Sequence, residues 1–221
     1  MIVAARNEAD RVGATLGALR ATFPDAQIVV ADDASTDGTS EVALARGAEI
    51  VGRGRRHGKG ASMTAAAETV VEQAGGPEPA TFVLCDGDLG GSARELGALV
   101  RVVEGGGCDL AIGMFRERVG GGFGLTRGFA GWAIARRCGF AAREPISGQR
   151  AMRAEVLRAV MPFAPGYGME IAMTIDAVRA GFRVSELELD LEHRATGRDP
   201  RGFLHRARQL RDIARAWWAR R

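Results

Sequence analysis

The chain has 221 residues, 46% of them hydrophobic and 26% charged, with a formal net charge of +3. That size suits a single core, the composition excludes a disordered chain, and no run approaches the roughly 20 apolar residues of a membrane span. Cys85, Cys108 and Cys138 are widely spaced with no CxxC pair, which argues against a zinc site or a disulfide framework and for buried thiols.

Apolar runs then alternate with helical patterns, which predicts an α/β domain with a Rossmann-like, mostly parallel sheet flanked by helices. Residues 1–6 lack the basic and apolar regions of a leader, so cytoplasm is the expected location. Ile2-Val3-Ala4-Ala5 reads as a strand, followed by a helix with Val12, Leu16 and Leu19 on its apolar stripe. Ile28 to Ala31 forms a second strand ended by Asp32-Asp33, and a short helix follows Thr36-Asp37-Gly38-Thr39. A brief strand at 49–51 leads through the glycine-rich stretch 52–60 into a helix of small residues over 61–73. The strand 81–85 runs directly into Asp86-Gly87-Asp88, and a helix over 92–104 and a strand over 109–113 follow. Residues 114–128, rich in glycine and arginine, read as a mobile loop. Helices are expected near 128–138, 153–160 and 169–180, a strand over 184–191, and a basic helix over 203–219. No repeat or long linker divides the chain, so one domain is expected.

In open α/β sheets ligands bind beyond the C-terminal ends of the strands. Here those ends carry Arg6-Asn7-Glu8, Asp32-Asp33 and Asp86-Gly87-Asp88. Each alone could be a turn or helix cap, because Asp and Asn favour both; three together point to a ligand site. An Asp-x-Asp at a strand end suits a hard divalent cation, Mg²⁺ or Mn²⁺, that shares its shell with a diphosphate. Gly87 would permit close backbone approach. Gly58-Lys59-Gly60 opens a helix behind Arg53, Arg55 and Arg56, and its free N–H groups could receive phosphate. It is not a Walker A loop, since Ala61 stands where a hydroxyl is needed; a solvated basic loop is the alternative.

The ordered set Ala5-Arg6-Asn7-Glu8, Asp32 to Thr39, Gly58-Lys59-Gly60 and Asp86-Gly87-Asp88-Leu89 resembles glycosyltransferase family 2, whose fold is GT-A. That family includes the dolichyl- and polyprenyl-phosphate mannose synthases. Ser147-Gly148-Gln149-Arg150-Ala151, Gly166 to Ile171 and His193-Arg194 also resemble its glucosyl-3-phosphoglycerate synthases. The resemblance implies a nucleotide-sugar half over about 1–113 and an acceptor half over about 114–221. It implies that Ala5, Arg6, Asn7, Glu8 and Gly87 line the nucleotide pocket, that Asp33 binds the base, and that Lys59 binds the nucleotide side of the donor. Asp86 would face the sugar or ribose, Asp88 would ligate the metal, and His193 would be a second ligand or a hydrogen-bonded structural residue. Gln149, Arg150, Tyr167 and Glu170 would meet the acceptor, Glu170 as hydroxyl ligand or base; the alternative for Glu170 is an acid complementing a helix N-terminus.

The expected reaction moves a sugar from a UDP- or GDP-linked donor to a phosphate-bearing or hydroxyl acceptor such as a polyprenyl phosphate or a phosphoglycerate. Stereochemistry, base and sugar stay open at this level, as does the oligomeric state, a dimer included. From Arg194 onward nine arginines face two acids. With Trp217 and Trp218 among its apolar residues, the segment 203–221 reads as a peripheral membrane contact or as a helix packed on the sheet with its arginines in water. Two other classes compete. A sugar nucleotidyltransferase would need a Gly-rich loop after the first strand, where this chain has Arg6-Asn7-Glu8. A non-catalytic, basic membrane-surface module would not need acids at three strand ends, and nucleic acid is not an expected partner because no aromatic stacking platform is seen.

Overall fold

In the computed structural model, residues 1–52, 54–73, 80–116, 124–192 and 200–221 are described, with the side chains of 200–206 left aside. Seven strands form one sheet in the order β3-β2-β1-β4-β6-β5-β7: β1 (Ile2–Ala5), β2 (Val29–Asp32), β3 (Glu49–Gly52), β4 (Thr81–Asp86), β5 (Leu110–Phe115), β6 (Arg150–Arg153) and β7 (Val184–Leu189). All pairings are parallel except those of β6, which runs antiparallel between β4 and β5. The α/β class expected from the sequence is therefore the observed one. The sequence pattern did not anticipate β6, because Arg-Ala-Met-Arg carries no apolar run. It is a strand because both of its neighbours supply ladder partners.

Alternation along the strands sorts the core into two layers. Val3, Val30, Val83, Cys85 and Ala111 face one layer. There they meet α1 (Val12–Thr22), α2 (Thr39–Ala45) and α4 (Gly97–Glu104), the last entered through a 3-10 segment at Gly90–Leu96. Leu16, Leu19, Leu96 and Leu99 are fully buried there, each burial stabilising by about 2 kcal/mol. Ile2, Val29, Leu84, Leu110 and Met152 face the other layer, covered by α3 (Lys59–Gln73), α6 (Ala154–Val160) and α7 (Met169–Arg179). Helices α5 (Leu125–Cys138) and α8 (Pro200–Ala219) form a further layer outside α7, where Ala130, Ile134 and Ile213 pack on Ile171 and Ile175. The apolar stripe of α8 thus rests on helices rather than on the sheet.

Cys85 and Cys108 are buried and Cys138 is half-buried, all free thiols. Burial pushes the Cys85 thiol up to about 12, so it stays protonated and inert. Among the described residues, no helix is long and apolar enough to cross a membrane.

Candidate active site

The first two βα loops are stitched together. Asn7, with a left-handed φ of 55°, donates its N–H to Ser35 Oγ at 3.0 Å and accepts from the Thr36 N–H at 2.9 Å. Glu8 N–H donates to Thr39 Oγ1 at 2.9 Å, and Ala9 N–H to Asp37 Oδ2 at 3.1 Å. Asp37 is held below the usual carboxylate range, first by the Thr39 hydroxyl. Asp32, read as part of the acidic strand end, accepts from the Ser35 N–H and hydroxyl and from Ser40, which makes it a turn anchor.

Asp33 is 6% exposed, and its Oδ1 accepts from the N–H groups of His57 and Gly58 at 2.7 and 2.8 Å and from Ser62 Oγ at 3.2 Å. The start of α3, read from sequence as a phosphate receptor, therefore already carries a carboxylate from the neighbouring strand end. Asp33 Oδ2 faces Arg56 at 3.7 Å. Gly60 serves packing: a Cβ there would stand 2.0 Å from the Ala164 carbonyl oxygen.

Lys59 lies between two carboxylates. Its ammonium stands 2.6 Å from Asp86 Oδ1 and 2.8 Å from Glu170 Oε1, and it is held well above the usual lysine range by these two carboxylates despite its burial. Gln149 completes the arrangement. Its Nε2 donates to Asp86 Oδ2 at 2.8 Å while its Oε1 accepts from the Asp86 N–H at 3.0 Å. Gly148 lies against the pair so closely that a Cβ would be 2.7 Å from both Lys59 Nζ and Asp86 Oδ2. Asp86 at the end of β4 and Glu170 at the start of α7 thus share one cation. Tyr167 is half-buried nearby, and burial pushes its hydroxyl above the usual range, with Lys59 and Arg56 opposing.

Two residues expected at the acceptor have partners within the fold. Gln149, at 2% exposure, is hydrogen-bonded to Asp86. Arg150, at 1%, donates through Nε to the Ser147 carbonyl and through Nη1 to Thr174 Oγ1, both at 3.0 Å. Burial lowers Arg150 to about 10, with Glu170 and Glu186 opposing. It sits on β6 under α7, and its Nη2 has no hydrogen-bond partner among the described residues. Gly87 is tied to β1 and α1: its N–H donates to the Ala4 carbonyl at 2.8 Å, and its own carbonyl accepts from Thr15 Oγ1. Ala5 is buried beneath the site and Arg6 is exposed at its edge. Asp88 is half-buried, with its carbonyl fixed by Arg11 at 2.9 Å. His193 and most of the 114–128 loop lie outside the described residues. The sequence offered no sign of the roles of Gly148 and Thr174, since both depend on contacts far along the chain.

A Rossmann-like sheet with an Asp-x-Asp strand end and a lysine shared between its two halves belongs to a known class. Residues 1–160 match the model of glycosyl transferase family 2. The chain belongs to that family and is a glycosyltransferase. It is 31% identical to an undecaprenyl-phosphate mannosyltransferase of Micrococcus luteus over 214 residues, covering 89% of this chain and 84% of that one. Glucosyl-3-phosphoglycerate synthase of Mycobacterium tuberculosis, solved with phosphoglyceric acid, superposes with a TM-score of 0.77 at 25% identity, covering 99% of this chain and 78% of that one. The same enzyme with Mn²⁺, uridine diphosphate and glucosyl-3-phosphoglycerate gives 0.75 at 24%, with 98% and 78% covered.

Proposed function

We propose that the protein transfers a sugar from a UDP- or GDP-linked donor to a lipid-borne phosphate of the polyprenyl phosphate class. The observation that carries this reading is the salt bridge from Lys59 to Glu170. Glu170 is the carboxylate the sequence nominates as base, yet it is 4% exposed and serves as counter-ion to an ammonium. A hydroxyl acceptor would need a base there. A phosphate monoester, with a second pKa of about 6, is already ionised near neutral pH and needs none. The undecaprenyl-phosphate acceptor of the Micrococcus luteus relative agrees with this chemistry.

In this reading an acceptor phosphate oxygen forms a bond to the anomeric carbon, and the bond from that carbon to the donor's β-phosphate oxygen breaks. The electron pair leaves with the nucleoside diphosphate. Asn7 and Glu8 shape the nucleotide pocket with the Ser35–Thr39 loop, and Asp33 holds the loop that faces the base. Asp86, fixed from both sides by Lys59 and Gln149, meets the sugar, and Tyr167 lies beside the acceptor phosphate.

Asp88, with His193 as second ligand, would hold a divalent ion. One or two protein ligands plus phosphate oxygens suffice for Mg²⁺ or Mn²⁺. The metal, when bound, neutralises charge on the leaving diphosphate. The protein works in the cytoplasm at the inner face of a membrane.

The test is a panel of UDP- and GDP-sugars with undecaprenyl phosphate or 3-phosphoglycerate, products being read by mass spectrometry. A glycosyl phosphate ester of the lipid is expected, together with Mn²⁺-dependent nucleotide binding by calorimetry that Asp88→Ala weakens. Transfer to 3-phosphoglycerate alone would overturn the acceptor, and nucleotide binding indifferent to Mn²⁺ and to Asp88→Ala would overturn the metal site.

A further inference from the structure

Helix α5 carries Arg127, Arg136 and Arg137 and no acid, while α8 ends on Trp217-Trp218 and the chain on Arg220-Arg221. Their packing assembles an aromatic run from distant parts of the sequence. Phe129 and Trp132 lie 5.6 Å apart between ring centroids, Trp132 and Trp217 5.4 Å, and Trp217 and Trp218 6.3 Å. Trp132 and Trp218 are nonetheless 51% and 59% exposed, and Leu125 at the start of α5 is 71% exposed. Large apolar groups so placed on one face mark an interaction surface.

The charge around this run has one dominant sign. Arg137 stands over Trp217 at 4.0 Å and Arg221 over Trp218 at 3.3 Å. Asp212 is paired with Arg211 and Asp176 with Arg220, which among the described residues leaves Arg136, Arg137, Arg215 and Arg221 as the excess. The arginines also crowd one another: besides partial burial, Arg179, Arg136 and Arg221 all press the Arg137 guanidinium below its usual range. An anionic partner would relieve that repulsion. Beside the ring of Trp218 an open, mainly apolar strip of α8 over Ala214 and Ala219 is rimmed by Arg211 and Arg215. An apolar strip under a guanidinium rim matches acyl carbon beneath phosphate. Indole and guanidinium are the side chains that settle at that depth of a bilayer.

The opposite face of α8 is joined to the site. Cβ atoms at Gly166 and Gly168 would stand 2.2 Å from Asp212 Oδ2 and 2.7 Å from the Ala216 Cβ. The Tyr167 N–H also donates to Asp212 Oδ2 at 3.4 Å. One helix thickness, about 10 Å, thus separates the ridge from the turn that carries Tyr167 and leads into Glu170.

We infer that the aromatic and arginine ridge of α5 and α8 docks the protein on an anionic phospholipid surface and keeps the Gly166–Gly168 turn one helix thickness from it. Docking rests on the ridge alone; only its use in presenting the acceptor rests on the function proposed above. The experiment is flotation of the full chain with phosphatidylcholine vesicles, with and without phosphatidylglycerol, in the absence of substrates. The wild type is expected to float with the anionic vesicles only and to be released by salt. Trp132→Ser with Trp218→Ser, or Arg215→Glu with Arg221→Glu, should each lower the bound fraction about tenfold. Unchanged melting temperature and uridine diphosphate binding would show that both variants are folded.

Failure of the wild type to float, or equal flotation of all three proteins, overturns the docking. So does a wild-type dimer that the tryptophan variant converts to monomer, which would make the ridge a self-association face. A wild type that floats without glycosylating undecaprenyl phosphate keeps the docking surface and removes the acceptor reading.

Discussion

The residues up to 113 and those beyond hold their charged groups in different ways. Over residues 1–113, Asp32, Asp33 and Asp37 are held by N–H and hydroxyl groups of adjoining loops, and among the described residues none of the three has an ion pair shorter than the 3.7 Å contact of Asp33 with Arg56. Over 114–221, Glu170 and Arg150 are sunk to 4% and 1% exposure, beneath a turn and a strand. Glu170 is answered by an ammonium from the other half, and Arg150 by Thr174 and a carbonyl. The first arrangement is a loop scaffold, whose members can be lost singly at modest cost. The second is a buried charge array, where removal of one member strands another without water.

Lys59→Met should separate the two most sharply. It leaves Asp86 and Glu170 facing each other, and we expect a loss of about 3 kcal/mol by urea denaturation together with a fall in transfer of about a thousandfold. If Lys59 were only a phosphate ligand of the donor half, stability would hold and donor KM alone would rise.

Gly148→Ala probes the same array by crowding. A methyl group 2.7 Å from the ammonium and the Asp86 carboxylate must displace flexible side-chain ends, not backbone. The expected cost is therefore about 1–2 kcal/mol in stability but about a hundredfold in kcat, since ångström displacements near reacting atoms are magnified in rate.

Asn7→Ala should mark the mild end. It removes one acceptor for the Thr36 N–H and places alanine at a φ of 55°. About 1 kcal/mol and a several-fold rise in donor KM, with kcat nearly unchanged, are expected. A kcat loss as large as that of Gly148→Ala would erase the distinction between scaffold and array.

How much of this was legible in the sequence follows the same division. Strands β1, β2, β4 and β5 announce themselves by short apolar runs, and each of β1, β2 and β4 ends on a recognisable polar group. The stitching of Asn7 to Ser35 and Thr36 was implicit, because adjacent parallel strands bring their following loops together. The residues beyond 113 were harder to read. The burial of Arg150 under α7 could not be seen from its neighbours in sequence, and β6 was invisible because its pattern depends on neighbours far along the chain.

The sequence by itself determined the α/β class, the family and the order of the polar strand ends, because periodicity and turn chemistry are local properties. Only the tertiary structure decided where Lys59 goes, that Asp33 occupies the start of α3, that Gln149 holds Asp86, and that Trp132 meets Trp217. Those are pairings between groups dozens of residues apart. In a buried site, each polar group takes whichever partner the packing brings within about 3 Å.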